Sequence, residues 1–168
     1  MSLSMYQVSV PSLIRSLSNL SAIIGKAAAH AAEKKIDESA FIQSRLFPDM
    51  FPFARQVMIA SDMAKGCAAR LAGLEPPKYD DTETTFAELQ ARLAKTIDYL
   101  NGFTAAQIDG SEDRVITLPS RHGTRTFNGQ SYLLDFVLPN VYFHVTTAYN
   151  LLRHGGVEIG KQDYIGAI

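Results

Sequence analysis

A chain of 168 residues can bury one proper core but is short for two. Hydrophobic residues make up 46% and charged residues 20%, an ordinary globular composition, and the net charge of −1 without a long basic run lacks the electrostatic footprint of a nucleic-acid binder. The single cysteine, Cys67, rules out an internal disulfide, and no apolar run approaches the ~20 residues that cross a bilayer. The chain start has no basic stretch followed by an apolar core, so no signal peptide and no membrane association are expected, and the cytosol is the expected compartment.

In chain order, the first helix is expected from Ser9 to Lys35, with Pro11 in its first turn, where a missing N–H is harmless. Val10, Leu13, Ile14, Leu17, Leu20, Ile24, Ala27, Ala28 and Ala31 form its apolar stripe, and its alanine-rich end permits close approach of another helix. Residues 36–51 are a connection. Its Phe47-Pro-Asp-Met-Phe-Pro52 stretch reads as irregular backbone whose aromatics fold over one end of the bundle. A second helix, Phe53 to Leu71, stops at Gly73 and is apolar nearly all round. After a Pro-Pro linker, Thr85 and Glu88 make a capping-box pattern that opens a third helix, Phe86 to Leu100.

The period then changes. Arg114 to Pro119 and Thr124 to Phe127 are short β-like runs, so a two-stranded hairpin is expected, with His122 at its tip. The fourth helix follows from Gln130 to Arg153, with Pro139 expected to kink or break it just before Asn140. Gly155-Gly156 ends it, and the tail through Tyr164 is expected to pack on the outside. The fold class is therefore all-α: four main helices in a single domain over residues 1–168, with a small hairpin between the third and fourth. The long connection after the first helix means that the topology need not be simple up-down.

The last helix carries the most informative stripe. At a spacing of 3.6, Leu133, Val137, Asn140, His144, Ala148 and Leu151 share one face, which sets an amide and an imidazole on a surface that should meet the core. Buried polar groups need partners, so this stripe is either a satisfied core network or one wall of a site. Asp62, on the mostly apolar second helix, must be exposed, paired or functional. Its plain reading is a pair with Lys65 three residues on, and its sharper one sets it opposite His144, orienting the ring or acting as a base. Tyr149 and Tyr142 could offer hydroxyls, while Arg153 and His154 suit a helix C-terminus. Cys67 lies on the inward stripe of the second helix, where a thiol is inert more often than reactive.

The helical first half, a helix ending Ala-Arg-Leu-Ala-Gly73, the hairpin, and Pro139-Asn-Val-Tyr-Phe-His-Val-Thr-Thr-Ala-Tyr149 followed by Leu152-Arg-His-Gly155 together resemble the DinB/YfiT-like superfamily along the whole chain. The resemblance implies a DinB-like four-helix bundle, in a branch of uncharacterised bacterial proteins. Members commonly hold a divalent metal with three histidines, one on the second helix and two in a His-x-x-x-His pair on the last, and some are thiol-dependent transferases or isomerases. Here the pair reads Asn140-x-x-x-His144, and the second helix has no histidine; Gln56 or Asp62 would stand near the missing ligand. An asparagine amide is a poor ligand for zinc or nickel.

Three functions follow as expectations. The first is a small-molecule pocket at the bundle centre, lined by Asp62, Asn140, His144 and Tyr149, without a tightly held metal. The second is a divergent metal-dependent transferase or hydrolase with zinc or nickel on His144 and on Gln56 or Asp62. The third is a non-catalytic interaction protein, a homodimer built on the alanine-rich face of the first helix.

Overall fold

The computed structural model describes residues 3–120 and 123–167. The expected tip residue His122 lies outside them.

Helix α1 spans Met5–Lys34 and begins a turn before the expected Ser9. Ser4 is the reason: its hydroxyl accepts from the Gln7 N–H at 3.3 Å, and the Gln7 side-chain oxygen accepts from the Ser4 N–H at 3.2 Å. This reciprocal cap satisfies two donors of the first turn and outweighs Pro11, which sits inside the helix instead of in its first turn. The connection that follows contains a short helix, α2, Ser39–Ile42. The expected cover of one bundle end by Phe47 and Phe51 does not form. Phe47 and Phe51 remain more than half exposed, and it is Phe41 and Ile42 of α2 that are buried, with the Phe41 ring 6.1 Å from that of Phe86.

Helix α3 spans Phe53–Leu71, and α4, Phe86–Asn101, opens on the expected Thr85–Glu88 capping box. A further short helix, α5, covers Ala105–Ile108. Strands β1, Ile116–Ser120, and β2, Gly123–Phe127, pair antiparallel, from Ile116 opposite Phe127 to Ser120 opposite Gly123. A turn of helix α6, Gly129–Ser131, leads into a π-helical segment, Tyr132–Val137, and then α7, Leu138–His154. The expected break at Asn140 does not occur. Pro139 stands in the first turn of α7, where its missing N–H is tolerated, and the irregularity moves one turn earlier into the wider π segment.

The tightest pairings are α3 with α7 and α1 with α4, and α3 also packs on α4. Long helices consecutive in sequence are thus not each other's main partners, as the long connection after α1 allows. The core between them holds Leu13, Leu17, Leu20, Ile24, Val57, Leu89 and Leu93, all fully buried. The tail forms α8, Lys161–Ile165, on the outside of α1. Arg15 donates to the Ile165 and Ala167 carbonyls at 3.2 and 2.7 Å, and Lys26 pairs with Asp163 at 2.6 Å. No helix among the described residues is long and apolar enough to cross a membrane.

Candidate functional site

His144 does meet the second long helix, through Gln56. The α3–α7 seam brings the His144 Nδ1 to 2.6 Å from Gln56 Oε1, and Gln56 Nε2 donates to the Phe51 carbonyl at 2.9 Å. Both side chains are buried, Gln56 at 1% exposure and His144 at 9%. The chemistry of these partners decides the tautomer. A carbonyl can only accept, so the amide nitrogen of Gln56 must face Phe51 and its oxygen must face the ring. That oxygen also only accepts, so Nδ1 carries the hydrogen. In the neutral ring Nε2 is then left with a bare lone pair, and it makes no hydrogen bond among the described residues. Burial pushes the His144 pKa down, which keeps the ring neutral at pH 7. The Phe143 ring stands nearly perpendicular to it, with centroids 5.2 Å apart.

The other expected site residues go elsewhere. Asp62 is six positions beyond Gln56, about 120° further round α3, and so faces α4. Its carboxylate pairs with Lys65, as the plain reading had it, and with Arg92 Nη2 at 2.7 Å. It does not orient the His144 ring. Arg92 is 4% exposed and also donates to Glu83 at 2.9 Å, to the Asp80 carbonyl at 2.9 Å and to Ser61 at 3.1 Å, and it pairs with Asp81 at 3.1 Å. The Tyr79 ring completes this cluster, with the Lys65 ammonium 3.8 Å from its centroid and that of Lys95 at 4.1 Å.

Asn140 is half-buried, and its amide donates back to the Phe136 carbonyl at 2.6 Å. The π segment shifts the phase of the last helix, so that Val141 takes the fully buried place expected of Asn140. Tyr149 stands five residues after His144, about 140° round the helix. It packs edge-on against Tyr164 of α8 at 6.2 Å. Of the expected set, then, only His144 and Gln56 come together; Asp62, Asn140 and Tyr149 face three other neighbourhoods. Cys67 is fully buried, and desolvation raises its thiol to about 12 against the opposing charge of Arg70, which keeps it protonated.

The family model described as a domain of unknown function (DUF1993) matches residues 5–165. A crystal structure of a DinB family member protein from Shewanella denitrificans superposes with a TM-score of 0.91, at 44% identity, over 97% of this chain and 92% of that one. This chain belongs to the DinB family. Comparison with curated proteins finds no match.

The donors of this DinB-family chain do not fit a divalent metal at the position implied by the superfamily. The Gln56 oxygen is taken by the His144 Nδ1–H, and the Asn140 amide is turned to a backbone carbonyl, so His144 Nε2 is the one strong donor left at the three positions. Nor do the described residues contain a group of three or more His, Cys, Asp or Glu side chains suited to a metal ion.

Sequence reasoning left Gln56 and Asp62 as alternatives. Spacing shows that Gln56, Ala60 and Ala64 can share a row of α3 that Asp62 falls off, but not that this row is the one facing α7. The Arg92 cluster went unrecognised, because four of its members lie in or beside an irregular linker whose path no periodicity describes.

Proposed function

We propose that this DinB-family domain binds a small molecule at the unpaired nitrogen of His144, with Gln56 as the residue that holds the ring in its Nδ1–H tautomer, and that binding needs no resident divalent metal. One observation carries the reading: the Phe51 carbonyl–Gln56–His144 chain of hydrogen bonds, whose polarity leaves Nε2 as an acceptor. The matching ligand offers a hydroxyl or N–H donor on an apolar body, since the exposed Phe143 ring lies beside the imidazole. Phenol and benzamide are suitable probes. In ligand-observed NMR, binding to the natural protein and its loss in a folded His144→Ala variant is the expected result. Equal binding to both proteins, or none to either, overturns the reading.

The divergent metal-dependent transferase or hydrolase has one feature in its favour. A histidine whose second nitrogen is fixed by an oxygen acceptor is the usual form of a metal-ligating imidazole. Metal analysis of protein purified without chelator separates the two readings. Near-stoichiometric zinc or nickel that disappears in His144→Ala supports the metal reading against the one proposed here.

Self-association is proposed on the alanines that α1 leaves exposed, Ala22, Ala29 and Ala32, once Ala27 and Ala31 are used inside the chain. Light scattering is expected to give twice the 18.5 kDa chain mass. A monomer mass would remove the homodimer.

A further inference from the structure

A cleft of about 500 Å³ opens between the end of α3 and the first strand of the hairpin. Two arginines from separate elements line it: Arg70, in the last turn of α3, and Arg114, two residues before β1. Neither guanidinium forms an ion pair among the described residues. Both are held close to the α3 backbone. Arg70 Nη1 donates to the Tyr132 hydroxyl at 3.0 Å and lies over Gly66, where a Cβ would collide with it. Arg114 Nη1 lies over Gly73 in the same way, and Gly73 is further required by its φ of +75°. Small residues thus let each guanidinium lie close against backbone, and both arginines contribute to the lining of the one cleft.

Glu75 also lines the cleft, so two positive charges face one negative and the local balance is +1. Leu74, Ile116 and Pro119 supply an apolar floor. Guanidinium groups offer forked donors that match the oxygens of a carboxylate or phosphate, and among the described residues Arg70 makes one side-chain hydrogen bond, to Tyr132, which uses one of its donors. The geometry points to a binding site for a small oxyanion, a carboxylate or phosphate group on a short apolar body, held between Arg70 and Arg114. This site is distinct from the His144 pair and does not depend on it.

NMR titration tests the site by following the arginine Nε–H signals. Inorganic phosphate and butyrate are the probes, each compared with sodium chloride at matched ionic strength. Saturable shifts of the Arg70 and Arg114 signals are expected with at least one probe, and which one identifies the anion class. Arg114 is exposed, so Arg114→Gln should leave the amide spectrum of α1 unchanged and weaken binding at least tenfold. Glu75→Gln removes the competing carboxylate and should tighten binding. Shifts no larger than those from chloride, or an affinity that neither variant moves in the stated direction, overturn the site.

Discussion

At the scale of single residues, the protein turns on a buried amide that sets the state of a buried imidazole. Replacing Gln56 by Leu keeps the volume of the side chain but strips a partner from both the His144 Nδ1–H and the Phe51 carbonyl. Leaving such groups unpaired costs roughly 1–3 kcal/mol, so Gln56→Leu should lower the denaturant midpoint accordingly. The ring should also lose its fixed tautomer, which histidine ¹⁵N shifts report directly. The pH dependence has a definite sign. The folded His144 pKa lies below the ordinary value of 6.5, so the unfolded chain takes up a proton that the folded ring resists. Stability from this residue is present above pH 6.5 and falls as the pH drops below it. Urea unfolding between pH 7.5 and 5 should show this slope, and His144→Ala should flatten it.

At the scale of elements, the linker between α3 and α4 is anchored through Arg92. One buried guanidinium meets Asp62, Asp81 and Glu83, whose carboxylates keep part of their exposure to water, so removing it costs up to the roughly 3–5 kcal/mol of a fully buried pair. Arg92→Met should therefore destabilise strongly. Hydrogen exchange should quicken first across residues 74–85, before the helices themselves open. The two segments that flank the hairpin are closed on each other by backbone contacts. A Cβ on Gly129 would overlap the Ser111 backbone carbonyl, and the adjoining Gln130 N–H is bonded to the Glu112 carbonyl at 2.9 Å. Backbone cannot swing aside as a side chain can, so Gly129→Ala should cost at least about 2 kcal/mol in a thermal or denaturant melt. The opposite case is Gly66, where an added methyl would meet only the end of the flexible Arg70 side chain.

At the scale of the whole molecule, one apolar interior joins the long helices, and Leu17 sits within it fully buried. Leu17→Ala should cost roughly 2–5 kcal/mol, a large share of the 5–15 kcal/mol typical of a domain, and calorimetry would read it as a single lowered transition. Much of this architecture was legible in the chain. The bounds of α3 and the start of α4 follow from local signals, since Pro52, Gly73 and the Thr85–Glu88 cap act within a turn of the residues they govern. The hairpin followed from a change of period, and the all-α class from the number and length of the apolar stripes. What only the tertiary structure decided depends on phase and on long-range pairing. The π segment turned Asn140 aside and Val141 inward, Phe41 took the end position expected of Phe47 and Phe51, and the choice between Gln56 and Asp62 rested on which face of α3 meets α7. Local spacing states what can share a face; which face is covered, and by what, is a property of helices far apart in the chain.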